Sequence, residues 1–295
     1  MLTLAMTYKH HDKNNYEHVT YFNPDYIFES DEFDHGEDID FEFGYYKDFP
    51  QKDRKLVLEF SSSFNTDHGY EHAFTNINNY NEPSHDHKTE DPYHEEDNRN
   101  VIIKSDYTHP FGKSSKFEAG FKSTLKVFKK NLYYLETPYD SDYNEDVHAL
   151  YGTLLYNFTD QLGIQLGARA EQAFTSAILK EQEHHEEEEH EDTTNIFLYI
   201  MEQALDQSPF KNDYFQIYPS VNILYNLNPT QRIQFGFSKR VNRPRRRTLT
   251  PFPQSTNNTS FIRRGNPYLK PEYSDVVDLN FSSNSRKLTF NTGVY

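Results

Sequence analysis

Apolar and polar residues alternate at every second position in long segments of this chain. In residues 115–128 the apolar positions are Phe117, Ala119, Phe121, Leu125 and Val127. The polar positions between them are Lys116, Glu118, Lys122, Thr124 and Lys126. Because successive side chains of a β-strand point to opposite faces, this spacing predicts a strand with one apolar and one charged face. Such a strand suits a wall between lipid and water.

The alternation recurs along the chain and predicts about twelve strands. They are residues 2–9, 14–22, 37–47, 54–65, 99–107, 115–128, 145–158, 161–174, 214–227, 231–241, 272–283 and 286–295. Short turns, such as 10–13 and 228–230, alternate with longer connections that are rich in charged residues. The longer connections are the segment that ends near 36 and residues 66–98, 129–144, 175–212 and 242–271.

One segment departs from the strand pattern. Residues 195–205 place apolar side chains at helical spacing, and the cluster Asp192-Thr193-Thr194 before them is typical of a helix N-terminus. The pattern predicts a short helix inside a loop. A strand that extends beyond the membrane is the alternative.

These features favour an all-β fold, an antiparallel transmembrane β-barrel, over a soluble β-sandwich. Outer-membrane barrels have short turns at one end and long loops at the other. The polar faces of the predicted strands carry Lys, Arg, Glu and Asp, which suits a wet interior. In lipid the sheet must close, because an open edge would leave backbone groups without partners. The predicted strands could close alone or form part of a larger barrel.

The composition supports this interpretation. The 295 residues carry a formal net charge of −16, which would suggest disorder, but the chain contains 23 Tyr and 24 Phe. A barrel with a wet interior combines a polar average with many aromatic residues. The absence of Cys excludes disulfides, thiolate metal sites and a cysteine nucleophile. There is no run of about 18 apolar residues, so no transmembrane helix is expected.

The first residues show none of the features of a signal peptide. Leu2, Leu4, Met6 and Tyr8 alternate with small or polar residues, as in a strand already under way. A basic stretch and a small-residue cleavage site are both missing. We therefore expect this chain to be a portion of a longer protein that begins upstream.

Four segments near the C-terminus, and one strand before them, resemble a known family. They are Tyr218–Leu227, Phe235–Pro244, Leu249–Phe252 and Gly265–Tyr273, with Leu166–Glu171 one hairpin earlier. In this order they resemble the barrel part of TonB-dependent outer-membrane receptors, in the branch called the outer membrane beta-barrel family. The combination is fairly specific, whereas each piece alone is weak.

The resemblance implies a location in the outer membrane of a Gram-negative bacterium and a barrel of about 22 strands around a plug. Residues 1–295 would then be a portion of the barrel, with the signal peptide, the plug and the C-terminal strands outside it. The implied partners are outer-membrane lipid, the TonB complex through the plug, and a small-molecule or metal-chelate ligand.

Histidines and carboxylates concentrate in two of the predicted loops. Imidazole and carboxylate together suit Zn²⁺, Cu²⁺ or Ni²⁺. The candidate metal ligands are His68, His72, His85, His87, His94, His184, His185 and His190. The alternative is a solvated acidic loop with incidental histidines, because no rigid ligand spacing is present.

Arginines concentrate in the last long loop. Guanidinium groups bind carboxylate and phosphate in forks, so these residues could contact an anionic ligand or anionic lipid. The alternative is that they pair with acids on the inner wall of the barrel. The candidate ligand or lumen residues are Arg240, Arg243, Arg245, Arg246, Arg247, Arg263 and Arg264, with Arg169 and Glu171.

Three pairs on the charged faces predict salt bridges inside the barrel. They are Arg169 with Glu171, Lys116 with Glu118, and Lys55 with Glu59. Such charges belong away from lipid, where a central Lys or Arg costs roughly 2–4 kcal/mol.

The sequence indicates a binding and transport protein rather than an enzyme. It contains neither a Gly-x-Ser-x-Gly motif nor a phosphate-binding loop. Nucleic acid is not an expected partner, because the chain is strongly acidic. The expected function is TonB-dependent uptake of a scarce ligand, such as a metal or metal chelate. The alternatives are a passive or structural outer-membrane barrel with adhesive loops and a soluble β-domain that binds metal.

Overall fold

Most described residues belong to long β-strands. The computed structural model describes residues 1–20, 26–77, 85–89, 93–112, 114–134, 137–181, 203–206, 208–250, 254–255, 262–263, 265–285 and 288–295. The strands are β1 (Leu2–Thr20), β2 (Tyr26–Asp48), β3 (Lys55–Ile77), β4 (His85–Thr89), β5 (Tyr93–Phe111), β6 (Ser115–Tyr134), β7 (Thr137–Asn157), β8 (Leu162–Glu181), β9 (Phe210–Asn228), β10 (Gln231–Asn242), β11 (Gln254–Ser255), β12 (Ile262–Arg263), β13 (Glu272–Asn284) and β14 (Thr289–Val294).

Twelve of these strands form one sheet. Its order is β1-β2-β3-β5-β6-β7-β8-β9-β10-β13-β14, with β4 paired to β3 and the short β11–β12 ladder apart. All neighbouring strands are antiparallel, which confirms the predicted all-β antiparallel architecture. Within the described part of the chain β1 and β14 do not pair, so the sheet stays open between them.

The strand register sorts the side chains into two faces. One register row joins Phe117, Leu154, Leu166, Val221, Phe237 and Val277 across six strands. We call the side that carries this row the apolar face. The opposite side, which carries Lys116, Glu118, Arg169 and Glu171, is the charged face. The predicted alternation of side chains is therefore continuous across neighbouring strands.

The apolar face is open rather than buried in a core. Phe117 is 42% exposed, and Phe121 and Leu125 on the same face are partly exposed. Within the residues that the structure describes, no second sheet packs against this face. A soluble β-sandwich would bury these side chains between two sheets, so the structure contradicts the sandwich alternative.

The predicted turn at residues 10–13 is wrong, because β1 continues through it. Asp12 lies opposite His35, and Lys13 lies opposite Asp34 with 3.5 Å between the charged groups. Opposite charges across the ladder favour pairing, and the segment contains neither Gly nor Pro to support a turn.

Strands also extend into four of the predicted longer connections, including residues 175–212, where β8 continues to Glu181. β2 begins at Tyr26, β3 continues to Ile77, and β6 and β7 leave only residues 135–136 between them. A strand of 23 residues is about 75 Å long at ~3.3 Å per residue, whereas roughly 9–11 residues cross a bilayer. The sheet therefore projects well beyond a membrane at this end. The sequence pattern missed these extensions because charged, polar and aromatic side chains occur on both faces of the strands there, so the period of two is lost.

The short turns at the other end are confirmed. β7 ends at Asn157 and β8 begins at Leu162, and β9 ends at Asn228 and β10 begins at Gln231. In the turn between β2 and β3, Asp53 adopts a positive φ of 63°, a conformation that Asp tolerates in turns.

Two helical turns interrupt the strands. Residues 203–206 are helical, as the pattern at 195–205 predicts, and the earlier part of that segment lies outside the described residues. The second is a short helix, Arg246–Leu249. Among the described residues, no helix is long and apolar enough to cross a membrane.

The buried core lies on the charged face, where both helical turns pack against the sheet. Its members are Phe128, Tyr139, Tyr143, Ala177, Leu179, Ala204, Phe210 and Leu249. Near the projecting end, the charged face therefore carries aromatic or aliphatic side chains at these positions. This packing holds residues 243–250, which follow β10 and which we call the arginine loop, against the sheet.

Candidate functional site

A buried carboxylate stands at the centre of the charged face. Glu171 on β8 is 3% exposed, and the Arg169 Nε donates to its Oε1 at 2.5 Å. Arg243, which follows β10, donates to the other oxygen, Oε2. Each carboxylate oxygen therefore has its own guanidinium, which satisfies the requirement that a buried charge be paired and hydrogen-bonded.

Arg243 connects the loop after β10 to the sheet. Its Nε donates to the Tyr214 hydroxyl at 2.6 Å. Burial by itself would lower the pKa of Arg243, but the Glu171 carboxylate and Tyr214 outweigh that effect and the net change is upward. Arg243 therefore remains charged, as its contact with Glu171 requires.

Arg246 lies over an aromatic ring of the same face. Its guanidinium carbon is 3.2 Å from the centre of the Phe128 ring on β6. Burial lowers the pKa of Arg246, yet a guanidinium stays protonated in a protein. A cation over an aromatic face is attracted by the ring quadrupole. The contact therefore anchors the start of the short helix.

The short helix is held by local hydrogen bonds. The Thr248 hydroxyl donates to the Arg245 carbonyl at 2.7 Å, and the Thr250 hydroxyl donates to the Arg246 carbonyl at 2.9 Å. Leu249 is buried on the sheet side of the helix. The helix therefore combines one buried apolar contact with exposed charge.

Gly265 allows the returning chain to approach this helix. Its N–H donates to the Thr250 carbonyl at 2.9 Å, and the Asn266 N–H donates to the Thr248 carbonyl at 2.8 Å. A Cβ at position 265 would lie 2.8 Å from the Thr248 carbonyl oxygen and would also clash with that of Thr250. The glycine of the segment Gly265–Tyr273 is therefore explained by close backbone contact.

A cleft of about 470 Å³ lies between the arginine loop and strands β6 and β7. We call it the basic cleft. Its charged lining consists of Lys126, Glu145, Arg243, Arg245 and Arg246. Glu145 is occupied by the Lys126 ammonium at 3.1 Å and by the Tyr143 hydroxyl at 3.1 Å. Lys126 is paired with Glu145 and Arg243 with Glu171, so the excess positive charge of this surface comes from Arg245 and Arg246, although the whole chain is acidic.

The other predicted arginines lie apart from the basic cleft or outside the described residues. Arg240 and Arg247 are exposed, and the Arg240 Nε donates to the Ser238 hydroxyl at 3.3 Å. Arg263 belongs to β12, where only its backbone is described, and Arg264 lies outside the described residues. The structure thus brings Arg169, Glu171 and Arg243 together, with Arg245 and Arg246 beside them.

Two of the three predicted salt bridges are present on the charged face. Lys116 contacts Glu118 at 2.8 Å, and Arg169 contacts Glu171. The predicted partner of Glu59 is wrong. Glu59 contacts Lys104 on the adjacent strand at 3.2 Å rather than Lys55, because the register places Lys104 directly opposite.

Most of the predicted metal-binding histidines cannot be placed as a site. His184, His185 and His190 lie outside the described residues. His72, His85, His87 and His94 belong to strands, but only their backbones are described. His68 is exposed, and its Nδ1 lies 3.6 Å from the Glu95 carboxylate.

A different group of potential metal ligands lies on β1 and β2. His10, Asp12 and His35 each offer one ligand atom, and these atoms lie within 4.8 Å of one another. None of the three is among the predicted ligands, because the segment 10–13 is assigned to a turn. Its sequence His10-His11-Asp12 was the available signal.

The comparison of sequences identifies the family. The chain matches the outer membrane protein beta-barrel family over residues 47–295. The chain belongs to this family. As a family member it is an outer-membrane β-barrel protein of a Gram-negative bacterium, which confirms the predicted location and fold class. The apolar face is then the lipid side of the wall, and the charged face with its basic cleft is the inner side.

Structural comparison aligns the chain with solved outer-membrane proteins at low sequence identity. The chain aligns with the ferric citrate transporter FecA at 12% identity and a TM-score of 0.45, over 98% of this chain and 42% of FecA. It aligns with the copper transporter OprC at 13% identity and a TM-score of 0.48, over 99% of this chain and 52% of OprC. With the hemophore receptor HasR of Serratia marcescens the identity is 12% and the TM-score 0.44, over 97% of this chain and 47% of HasR.

This chain spans only about half the length of these solved chains, because it covers 42% to 52% of each. A search of curated protein sequences returns no match to the chain.

Several residues of the basic cleft escape sequence reasoning. Phe128 and Tyr143 of the cleft, and Tyr214 beside it, occupy charged-face positions, where the pattern gives no reason to expect aromatic side chains. Tyr214 accepts a hydrogen bond from Arg243, Phe128 lies under Arg246, and the Tyr143 hydroxyl donates to Glu145. The signal that was available is the arginine cluster itself, since cations that leave water need aromatic or acidic partners.

Proposed function

We propose that this outer-membrane barrel protein is the barrel portion of a TonB-dependent receptor that imports a scarce ligand. Family membership supports an outer-membrane role, and the segments Tyr218–Leu227 and Gly265–Tyr273 resemble the barrel of such receptors. A binding role also fits a charged face on which described ionic groups such as Arg169, Glu171 and Arg243 pair with one another.

The basic cleft is the observation that carries the proposal, and it favours an anionic ligand such as a metal chelate. Arg243 is committed to Glu171, whereas Arg245 is exposed at the edge of the cleft. Arginine forks recognise carboxylates and similar oxyanions, and Arg246, which lies over the Phe128 ring, adds a further charge. The cleft lies at the end where the long connections gather, so a ligand from outside the cell would meet it first.

Energy for uptake would come from the inner membrane through a plug and its contact with TonB. We propose that these parts belong to the longer protein, since the chain spans about half the length of the solved outer-membrane chains. Further strands would then close the sheet between β1 and β14, as lipid requires.

The test compares cells with and without the gene in medium limited in transition metals. Cell metal content is measured by mass spectrometry, in strains with and without functional TonB. We expect deletion of the gene to lower the content of one metal, and deletion of TonB to cause the same loss without an additive effect. Unchanged metal content, or uptake that is independent of TonB, would support a passive or adhesive barrel instead.

A matched pair of variants tests the basic cleft. Arg245→Gln removes a cleft charge that has no ion-pair contact among the described residues, and Arg247→Gln removes an exposed charge next to it. We expect Arg245→Gln to weaken uptake several-fold and Arg247→Gln to leave it unchanged. Equal uptake by both variants, with normal amounts of protein in the membrane, would contradict an anionic ligand in this cleft.

A further inference from the structure

Three potential metal ligands meet across the first two strands. The register places Asp12 of β1 opposite His35 of β2, and His10 lies two residues before Asp12 on the same face. The Asp12 Oδ1 is 2.8 Å from the His35 Nδ1, and the Oδ2 is 3.7 Å from the His10 Nε2. One carboxylate therefore stands between two imidazole rings.

The spacing of these atoms matches one coordination sphere. Two ligands bound to Zn²⁺ at ~2.0–2.1 Å with tetrahedral geometry are about 3.3 Å apart. The two distances from Asp12 lie on either side of that value, and the three ligand atoms lie within 4.8 Å of one another. Rotation of the exposed side chains would close the remaining separations and bring the three onto one ion.

We propose that His10, Asp12 and His35 form a site for a divalent transition-metal ion such as Zn²⁺. Two imidazoles and one carboxylate are a ligand set that such ions accept, with a fourth position open to water. All three residues are exposed, so an ion can enter without any rearrangement of the backbone. The bound ion would link β1 to β2.

The position of the site separates it from the uptake path. His10 and Asp12 lie on the apolar face, directly beyond the alternating run that ends at Met6 and Tyr8. The ion would therefore sit outside the barrel wall, above the hydrocarbon, whereas the basic cleft lies on the inner side. The proposal does not depend on the proposed transport function, and its failure would leave that function untouched.

A neighbouring pair provides the internal control. His11 follows His10 but points to the charged face, where its Nε2 lies 3.4 Å from the Asp67 carboxylate. This pair has one imidazole and one carboxylate. If ordinary histidine–carboxylate pairing explained both places, neither would hold zinc tightly.

The experiment measures zinc binding to the full-length protein in detergent micelles. His184, His185 and His190 are replaced by Gln in every sample, so that this histidine-rich segment does not compete. Isothermal titration with Zn²⁺ is applied to this parent and to the added substitutions His35→Gln, Asp12→Asn and His11→Gln. Far-ultraviolet circular dichroism verifies that each variant keeps its strand content.

We expect the parent and the His11→Gln variant to bind one tight equivalent of Zn²⁺. Losing a group that only hydrogen-bonds to a metal ligand weakens metal binding about 10–100-fold, so losing a direct ligand in His35→Gln or Asp12→Asn should cost at least that factor. Zinc should also raise the unfolding temperature of the parent but not of these two variants. The absence of tight zinc binding in the parent, or equal binding by all four proteins, would overturn the proposal.

Discussion

Glu171 and Asp12 are both carboxylates placed between two basic side chains, yet their surroundings differ. Glu171 is 3% exposed, and its oxygens are occupied by Arg169 and Arg243. The Asp12 side chain is 58% exposed and stands between His10 and His35. The first lies on the inner side of the wall and the second on the outer side.

The difference shows how burial decides what a charged group can do. A buried carboxylate must keep its partners, because an unpaired charge in a dry site is costly. The Glu171 cluster is therefore a structural link that holds the arginine loop on the sheet. An exposed carboxylate between two imidazoles can exchange its partners for an ion at little cost, so Asp12 is free to act as a ligand.

The largest expected effect comes from Glu171→Gln. The substitution leaves two guanidinium groups without a carboxylate, and breaking a buried pair typically costs about 3–5 kcal/mol. Arg169 and Arg243 retain side-chain exposures of 35% and 29%. We therefore expect the free energy of unfolding to fall by about 3 kcal/mol, the lower end of that range, in denaturant titrations in phospholipid vesicles.

Asp12→Asn is the matched comparison for Glu171→Gln. Because Asp12 is exposed, we expect the unfolding free energy of the metal-free protein to change far less than it does in Glu171→Gln. Equal losses from the two substitutions would contradict the contrast between the two carboxylates.

Gly265→Ala tests whether the arginine loop depends on the returning chain. The added Cβ would overlap the carbonyl oxygens of Thr248 and Thr250, which are backbone atoms that cannot move aside freely. We expect a loss of about 1–3 kcal/mol, together with weaker protection of the Arg243 region in hydrogen exchange. Gly152→Ala is the control, since its Cβ would meet the Glu118 carbonyl oxygen at an ordinary 3.6 Å.

Arg246→Gln tests the contact with Phe128. Removing a partly buried cation from an aromatic face should lower the unfolding free energy by about 1 kcal/mol. Arg247→Gln, which changes an exposed neighbour, should leave it unchanged. A larger loss from Arg247→Gln than from Arg246→Gln would show that the packing contact is not what anchors the short helix.

The smallest expected effect concerns the titration of Asp12. A hydrogen bond with His35 lowers the pKa of Asp12. The contact therefore favours the folded state above the ordinary Asp pKa, and this contribution is lost as the pH falls through the lowered value. Carboxyl carbon NMR should show the pKa of Asp12 rising toward the ordinary range in His35→Gln. An unchanged titration curve would contradict the contact.

The sequence was informative where one face of a strand is apolar and the other charged. The placement of Phe117 and Leu166 on the apolar faces of their strands follows from alternation alone, as does the pairing of Arg169 with Glu171 two residues apart. The short turns after Asn157 and Asn228 also follow from local residue preferences. Each of these features depends on residues that are close together in the sequence.

Pattern reasoning was wrong at the projecting end of the sheet. There, both faces of β1 and β2 are charged, so the period of two disappears although the backbone pairing continues from Leu2 to Thr20. The sequence pattern also could not identify the partner of Glu59, because Lys104 lies 45 residues away on another strand. Register between distant strands is set by the whole sheet and cannot be read from one segment.

By itself, the sequence determined the strand-rich architecture, the two-faced wall and the family, because alternation and short motifs are local properties of the chain. Only the tertiary structure decided that Arg243 reaches Glu171, that Arg246 lies over Phe128, and that Asp12 meets His35. The physical reason is that these contacts need strands and loops far apart in the chain to take one register. Their energies arise from burial and geometry that exist only after the sheet has formed.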